Sequence, residues 1–130
     1  MKTLNRILLV DDDELFNYIH KEILKNLKVA GKIEVAINGR EALKFFKEDN
    51  AEQYPDLVLL DIDMPIMNGF EFLQEMSDNF KNILETTKVI MLTSSLNERD
   101  MKKANEYNVS GYLNKPLTIE KFKEIINNFK

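Results

Sequence analysis

The chain of 130 residues contains no cysteine and only four glycines, which excludes several kinds of chemistry. Without cysteine it can form neither a disulfide framework nor a thiolate centre, as is usual in a reducing compartment. The glycines stand apart from one another, so the chain lacks the glycine-rich loop that binds nucleotide phosphates. It also lacks an apolar leader segment and any run near the ~18 apolar residues of a membrane helix. We therefore expect a cytoplasmic protein without a nucleotide cofactor.

An excess of positive charge is also missing. The formal net charge is −4, and the isoelectric point is near 5.1. Binding to nucleic-acid phosphates requires a basic surface, so a general nucleic-acid-binding function is not expected. The length suits one domain, and no linker-like or repetitive segment divides the chain. We expect a single domain over residues 1–130, with no room for an attached output module.

Short aliphatic runs recur along the chain and end in polar residues. They occupy residues 7–10, 57–60, 89–92 and, more weakly, 111–114. Runs of this length between polar or turn residues are typical of strands buried on both faces of a parallel sheet. A fifth segment, residues 33–37, alternates apolar and polar side chains and predicts an edge strand.

Segments with helical spacing lie between these strands and after the last one. Their apolar stripes are Leu15, Ile19, Ile23 and Leu27; Ala42, Leu43 and Phe46; Phe70, Leu73, Met76 and Phe80; Met101, Ala104 and Tyr107; and Ile119, Phe122, Ile126 and Phe129. The fourth stripe is thinly apolar, which is compatible with a mobile element. Alternating strands and helices predict a doubly wound α/β sheet with parallel strands. The only histidine, His20, lies beside Ile19 on the first helix, where we expect an exposed side chain.

Polar residues follow the carboxyl ends of four strands, where doubly wound sheets bind ligands. They are Asp11, Asp12 and Asp13 after the first strand, Asp61 and Asp63 after the third, Thr93 at the end of the fourth and Lys115 after the fifth. Carboxylates held together repel one another unless a cation neutralises them, and hard oxygen ligands suit Mg²⁺. We therefore predict a Mg²⁺ site at this edge, with Asp11 and Asp12 among its residues.

Some of these polar residues have purely structural explanations. Asp13 is expected to cap the first helix, and Ser95 or Asn97 to cap the helix after the fourth strand. Gly69 follows Pro65 in the loop after Asp61, and it is expected to supply an unusual backbone conformation there.

The peptide bond between Lys115 and Pro116 is open to either isomer, because the trans form before proline is favoured by only about 0.5–1 kcal/mol. A cis bond would turn the lysine stem back toward the acidic cluster.

In order and spacing, these motifs resemble the receiver domains of two-component response regulators, as in the single-domain chemotaxis regulators. The resemblance covers residues 7 to about 129. It rests on Asp11-Asp12, on Asp61, Pro65 and Gly69, on Thr93, and on residues 111–116. Each motif alone is weakly specific, but together at these separations they are strongly specific. The resemblance implies a flavodoxin-like fold, with a five-stranded parallel sheet of order 2-1-3-4-5 and five helices.

The resemblance also implies chemistry for the acidic residues. Asp61 would take a phosphoryl group from the phosphohistidine of a sensor histidine kinase or phosphotransfer protein and become an aspartyl phosphate. Mg²⁺ would bind Asp12, Asp61 and the main-chain carbonyl of Asp63, while Asp11 would act through water. The protein would be no enzyme beyond catalysing its own phosphorylation and dephosphorylation.

Three further residues receive roles from the same resemblance. Lys115 would pair with the Asp61 carboxylate and then with a phosphoryl oxygen, and Thr93 would hydrogen-bond another phosphoryl oxygen. On phosphorylation the residue at the Thr93 position moves inward and the aromatic at the Tyr112 position follows, which changes a partner-binding face. The downstream protein is not identified by the sequence, and both a monomer and a phosphorylation-dependent homodimer remain open.

Two alternative functions fit parts of the sequence. A receiver-like domain can act as a phosphorylation-independent binding module, although here every signature position holds competent chemistry. Asp61-Ile62-Asp63 superficially resembles the nucleophile motif of haloacid-dehalogenase-like phosphatases, but those enzymes place it on their first strand. Asp63 and Ser95 flank the path of attacking water in the receiver family, so the lifetime of a phosphoryl group stays open.

Overall fold

The computed structural model describes residues 4–47, 54–94 and 97–127. Its strands are β1 (Leu4–Val10), β2 (Ala30–Ala36), β3 (Leu57–Leu60), β4 (Lys88–Thr93) and β5 (Gly111–Asn114). Its helices are α1 (Glu14–Leu27), α2 (Gly39–Lys44), α3 (Gly69–Asn79), α4 (Lys81–Leu84), α5 (Glu98–Asn105) and α6 (Ile119–Asn127). Ser95 and Phe129 lie outside the described residues, so the predictions made for them are not tested.

The five strands form one parallel sheet in the order β2-β1-β3-β4-β5. The predicted doubly wound fold and strand order are therefore confirmed. The order reverses between β1 and β3, where Val10 pairs with Leu60 in register. Asp11 and Asp61 are the next residues on each strand, so the chain delivers both to the same point of the sheet edge.

The three central strands are buried between two apolar clusters, as their aliphatic runs predicted. The prediction of burial on both faces was wrong for residues 111–114, because β5 is an edge strand and only half-buried. Successive strand residues alternate between its faces. Leu8, Val10, Val58 and Leu60 pack with the helices from α2 to α5, and Ile7, Leu9, Leu57 and Leu59 pack with α1 and α6. Burying a side chain of this size contributes roughly 1.5–3 kcal/mol, so the two clusters hold the strand ends rigidly. None of the helices in the described ranges has the length and apolar character needed to cross a bilayer.

Helix α1 buries only part of the predicted stripe. Ile23 and Leu27 pack partly buried against an apolar cluster, but the most deeply buried face is rotated from the stripe. Leu15 is 66% exposed, and the buried residues are Asn17, His20 and Leu24. The inner face includes polar residues because each has a hydrogen-bonding partner there. Asn17 Nδ2 donates to the Asp11 carbonyl at 2.8 Å, and His20 Nε2 accepts from the Leu117 amide at 3.1 Å. The expectation of an exposed His20 was wrong.

The described residues contain one more helix than the five expected. Phe80 ends α3 as its C-terminal cap, and the single turn α4 follows at once. A four-residue helix is too short to show a periodic stripe, which is why the pattern missed it. The thin stripe of α5 is confirmed, since Ala104 is its only buried residue.

Side-chain caps fix the N-termini of α1, α2, α3 and α5, and at α2 the cap is Asn38, which accepts from the Glu41 amide. Asp13 accepts hydrogen bonds from the Leu15 and Phe16 amides, as predicted for α1. Asn97 caps α5 by accepting from the Asp100 amide. Asn68 and Glu71 form a reciprocal capping box at α3. The Asn-x-x-Glu spacing that signals this box is visible in the sequence but was not used.

Gly69 is required for a close approach rather than for an unusual backbone angle. It has no positive φ, so that expectation was wrong. Its amide donates to the Ile62 carbonyl at 2.9 Å. A β-carbon at Gly69 would overlap the carbonyl oxygen of Asp61. The start of α3 can therefore lie directly against the end of β3.

Ile66 is strained within the loop between β3 and α3. Its φ is 69°, and the Met67 amide donates to the Pro65 carbonyl at 2.7 Å across it. This hydrogen bond and positive φ define a classic γ-turn, which is rare and strained. For a β-branched residue, positive φ is a marked outlier. The loop beside Asp61 therefore holds conformational strain.

Replacing Ile66 with glycine should raise the free energy of unfolding by up to about 1 kcal/mol, because glycine adopts positive φ without strain. Little burial is lost, since Ile66 is 68% exposed. Urea unfolding measures the change. Ile66→Val keeps the β-branch and should stay within about 0.5 kcal/mol of the unsubstituted protein. An Ile66→Gly protein less stable than the unsubstituted one would contradict the conclusion that Ile66 is strained.

Candidate functional site

Three carboxylates and one ammonium group meet beyond the ends of β1, β3 and β5. Asp11, Asp12 and Asp61 each offer an oxygen, and these oxygens lie within 4.8 Å of one another. Nζ of Lys115 lies 2.6 Å from Oδ2 of Asp11 and 3.1 Å from Oδ2 of Asp61. Three negative charges and one positive charge leave a net charge of −2. That charge complements a divalent cation.

The two buried carboxylates are held by the backbone as well as by the lysine. Asp11 and Asp61 are 4% and 6% exposed, whereas Asp12 is exposed. Oδ1 of Asp11 accepts from the Asp13 amide at 2.9 Å, and Oδ1 of Asp61 accepts from the Ile62 amide at 2.8 Å. Each carboxylate thus has one oxygen on the backbone and the other on Lys115. Their orientation is fixed before any ligand arrives.

Burial and charge shift the pKa of two groups in this cluster. Burial raises the pKa of Asp11 above its ordinary value of 3.8, although hydrogen bonds from Lys115 and the Asp13 amide act against it. Burial by itself would lower the pKa of Lys115, but hydrogen bonds to Asp11 and Asp61 outweigh it and raise this pKa above 10.5. Lys115 therefore stays a cation at neutral pH.

The donor set fits a hydrated Mg²⁺ ion. Its charged donors are all carboxylate oxygens, the ligands that Mg²⁺ prefers, and Mg²⁺ usually keeps several waters. Oδ1 of Asn17 is buried, and no side chain or amide in the described residues donates to it. Asn17 and Asp12 line the same surface depression of about 530 Å³. A water in this depression, beside Asp12, would supply the donor that this oxygen lacks.

Thr93 and Asp63 occupy different environments at the same sheet edge. Thr93 ends β4 and is fully buried, and its carbonyl accepts from the Lys115 amide at 3.1 Å. Asp63 is exposed in the loop after β3. The carboxylate cluster found in the described residues does not include the Asp63 side chain. The role implied for Asp63 uses its main-chain carbonyl instead.

Sequence reasoning missed two residues that contact the lysine or its segment. The Phe16 ring lies 4.6 Å from Nζ of Lys115, and His20 stacks on Phe16 with ring centroids 5.5 Å apart. The sequence did hold a signal for this pair, because Phe16 and His20 are four residues apart and such positions lie on one face of a helix. The pair was overlooked because the aliphatic stripe suggested a different inner face.

The peptide bond between Lys115 and Pro116, which the sequence left open to either isomer, is cis.

Tyr112 connects β5 to α5. Its ring packs partly buried against the apolar cluster on that side of the sheet. Its hydroxyl donates to the Met101 carbonyl at 3.3 Å and also contacts Oδ1 of Asn105. The aromatic residue predicted to follow Thr93 therefore contacts the helix that has the thinnest apolar face.

The chain is similar to known proteins over most of its length. The family described as "Response regulator receiver domain" matches residues 7–127. The chain is 38% identical over 112 residues to chemotaxis protein CheY of Halobacterium salinarum, which covers 85% of this chain and 84% of that protein.

Solved structures show similar architecture. A two-component response regulator from Cytophaga hutchinsonii superposes with a TM-score of 0.85 and 27% identity, covering 97% of this chain and 96% of that one. The phosphorylated cyanobacterial phytochrome response regulator RcpA gives a TM-score of 0.75 and 26% identity, over 95% and 89% of the two chains.

The state of His20 predicts that acid destabilises the protein. Burial, and then the charge of Lys115, lower the pKa of His20 from 6.5 to about 4, while Asp13 acts in the opposite direction. Between these values the unfolded chain binds a proton that the folded protein does not, so the free energy of unfolding falls as pH falls. The neutral state of His20 contributes roughly 3 kcal/mol to the free energy of unfolding. This contribution is complete above pH 6.5 and is lost as the pH approaches 4.

Urea unfolding at about pH 7 and about pH 4.5 measures this loss. A His20→Gln variant does not titrate at this position, so its stability should decline by roughly 2–3 kcal/mol less over the same interval. Asp11 titrates in both proteins, and the comparison cancels its contribution. Equal declines in the two proteins would contradict a buried neutral imidazole.

Proposed function

Since the chain belongs to the response regulator receiver domain family, we propose that it serves phosphorelay signalling by accepting a phosphoryl group on Asp61. Receiver domains are signalling modules and bind Mg²⁺ at an acidic pocket. The observation that carries the proposal is the position of Asp61. It is buried at the end of β3, 3.1 Å from the Lys115 ammonium and beside the carboxylates of Asp11 and Asp12. Residues 1–130 would act as one receiver domain.

The transfer makes few covalent demands on the protein. A carboxylate oxygen of Asp61 forms a bond to phosphorus, and the bond from phosphorus to the donor imidazole breaks. The imidazole keeps the electron pair of that bond and takes up a proton. The main requirements are alignment and neutralisation of phosphoryl charge. The fixed orientation of Asp61 and the cationic state of Lys115 would meet both requirements. Beyond its own phosphorylation and dephosphorylation, the chain would be no enzyme.

Mg²⁺ would be held by Asp12, Asp61 and the main-chain carbonyl of Asp63, with Asp11 acting through a water. When bound, the ion neutralises charge on the phosphoryl oxygens. Lys115 would release one carboxylate oxygen and bind a phosphoryl oxygen in its place. Thr93, at the end of the neighbouring strand, would hydrogen-bond a third phosphoryl oxygen.

The signal would leave through the face formed by α5, β5 and α6. Thr93 and Tyr112 lie on neighbouring strands, and Met91 and Tyr112 are register partners. Movement of Thr93 toward a phosphoryl group opens space for Tyr112, whose hydroxyl contacts α5. The downstream protein would bind this altered face, either on one chain or on a phosphorylated pair. The upstream partner would be a sensor histidine kinase or a phosphotransfer protein.

Incubation with Mg²⁺ and acetyl phosphate should add one phosphoryl group to the protein, measured by intact mass. Asp61→Asn should abolish the adduct, because an amide oxygen is a poor nucleophile. Asp78→Asn makes the same change at an exposed position of α3 and should retain it. Chelation of Mg²⁺ should also prevent formation of the adduct in the unsubstituted protein. An adduct that persists in Asp61→Asn would place the acceptor elsewhere.

The same experiment distinguishes the two alternative functions. Absence of both the adduct and Mg²⁺ binding would favour a phosphorylation-independent binding module. Steady release of inorganic phosphate from an external phosphate ester would favour the phosphatase.

Phosphorylation should change amide hydrogen exchange in α5 and β5, and Tyr112→Ala should reduce that change severalfold, because the substitution removes the ring that joins the two elements. Exchange is measured by mass spectrometry with and without acetyl phosphate. Tyr18→Ala removes an exposed tyrosine of α1 and should leave the change intact. An undiminished change in Tyr112→Ala would exclude the aromatic role.

A further inference from the structure

The only histidine of the chain is buried beside the segment that carries Lys115. From its contacts we propose that His20 is a positioning residue, which fixes the segment after β5 so that Lys115 reaches both carboxylates. The expected effect on phosphoryl transfer rests on the proposed function, whereas the effect on the position of Lys115 does not.

A hydrogen bond joins His20 to this segment across the fold. Nε2 of His20 accepts from the Leu117 amide at 3.1 Å, although 97 residues separate the two in sequence. Both residues are 1% exposed. The Lys115 amide donates to the Thr93 carbonyl at 3.1 Å. The backbone is therefore anchored at Lys115 by β4 and two residues later by α1, which restricts the direction of the lysine side chain.

A second contact links the same face of α1 to the lysine itself. His20 stacks on Phe16 at a ring-centroid distance of 5.5 Å, and the face of Phe16 lies 4.6 Å from Nζ of Lys115. Phe16 and His20 are four residues apart, so they lie one above the other on the helix. Helix α1 thus contacts the lysine side chain through Phe16 and its backbone segment through His20.

The hydrogen bond requires a neutral imidazole. A ring nitrogen can accept only when it carries no proton. The charged groups that act on His20 are Lys115, after β5, and Asp13, at the start of α1; burial and Lys115 lower the pKa of the imidazole to about 4. Nε2 is therefore an acceptor at neutral pH, and the proton of the ring lies on Nδ1.

Packing alone does not require histidine at this position. An apolar side chain of similar size would fill the space, but it would leave the buried Leu117 amide without an acceptor. Buried amides are costly when unpaired, so the segment would shift to find another partner. Such a shift would move Nζ of Lys115 away from Asp11 and Asp61.

Two apolar variants and one polar variant test the proposal. Crystal structures of His20→Met, His20→Leu and His20→Gln give the distances from Nζ of Lys115 to Oδ2 of Asp11 and Asp61, which are 2.6 Å and 3.1 Å in the unsubstituted protein. The apolar variants should lengthen at least one distance beyond about 4.0 Å, the limit of an ion pair. The glutamine of His20→Gln retains an acceptor for the Leu117 amide, so this variant should preserve both distances. Having two apolar variants allows the comparison if one fails to fold.

Phosphorylation rates with saturating Mg²⁺ and acetyl phosphate give the second measurement. His20→Met and His20→Leu should slow the reaction about tenfold or more, because misplacing a catalytic group by about 1 Å can cost as much as a hundredfold. His20→Gln should recover most of the rate. Unchanged lysine distances in the apolar variants, or a rate in His20→Gln no better than theirs, would overturn the proposal. A wild-type protein that takes up no phosphoryl group would refute the proposed function, while the crystal structures would still decide the role of His20.

Discussion

Two carboxylates buried side by side are tolerable in this fold only because one ammonium lies between them. Asp11 and Asp61 repel each other, and burial penalises the charge of each. The Lys115 side chain, 4% exposed, contacts both. Removing one member of a buried ion pair typically costs about 3–5 kcal/mol, because a buried charge loses its partner. One cation shared by two anions still leaves negative charge at the sheet edge, and the exposed Asp12 adds to it. The same cluster thus combines stabilising ion pairs with a net negative charge that complements a divalent cation.

The strand order determines how this contact is made. Asp11 follows β1 and Asp61 follows β3, which are neighbours, but Lys115 follows β5, and β4 lies between. The lysine must therefore extend past the end of β4, where Thr93 is buried. A long side chain needs lateral support to stay in one direction, since lysine has many rotamers in solution. The carboxylates hold its tip, Phe16 covers it, and the hydrogen bonds of the backbone segment fix its base.

The sequence was sufficient for features that depend on local pattern, and insufficient for those that depend on distant partners. Aliphatic runs located four strands and their polar ends, because a strand buried on both faces needs continuous apolar residues. The inner face of α1 was identified only in part. Asn17 and His20 are buried there with hydrogen bonds to backbone groups, which periodicity does not reveal. The role of Gly69 was also misread, because its closeness to the Asp61 carbonyl exists only in three dimensions. Ile66, strained beside the same strand end, gave no sequence signal.

Helices α1 and α5, on opposite faces of the sheet, differ in how firmly they are attached. On one face, α1 is tied to Asp11 through Asn17 and to the segment after β5 through His20, and Leu24 is fully buried. On the other, α5 buries only Ala104 and is joined to β5 through the Tyr112 hydroxyl. Alternation along β4 places Thr93 on the same face as Met91, which packs on the α5 side. Under the proposed function, a phosphoryl group that draws Thr93 inward would act on the weakly attached helix, while the firmly attached one would keep Lys115 and the carboxylates in place. Separating a rigid site from a movable surface in this way would let the proposed phosphorylation change the surface without dismantling the site.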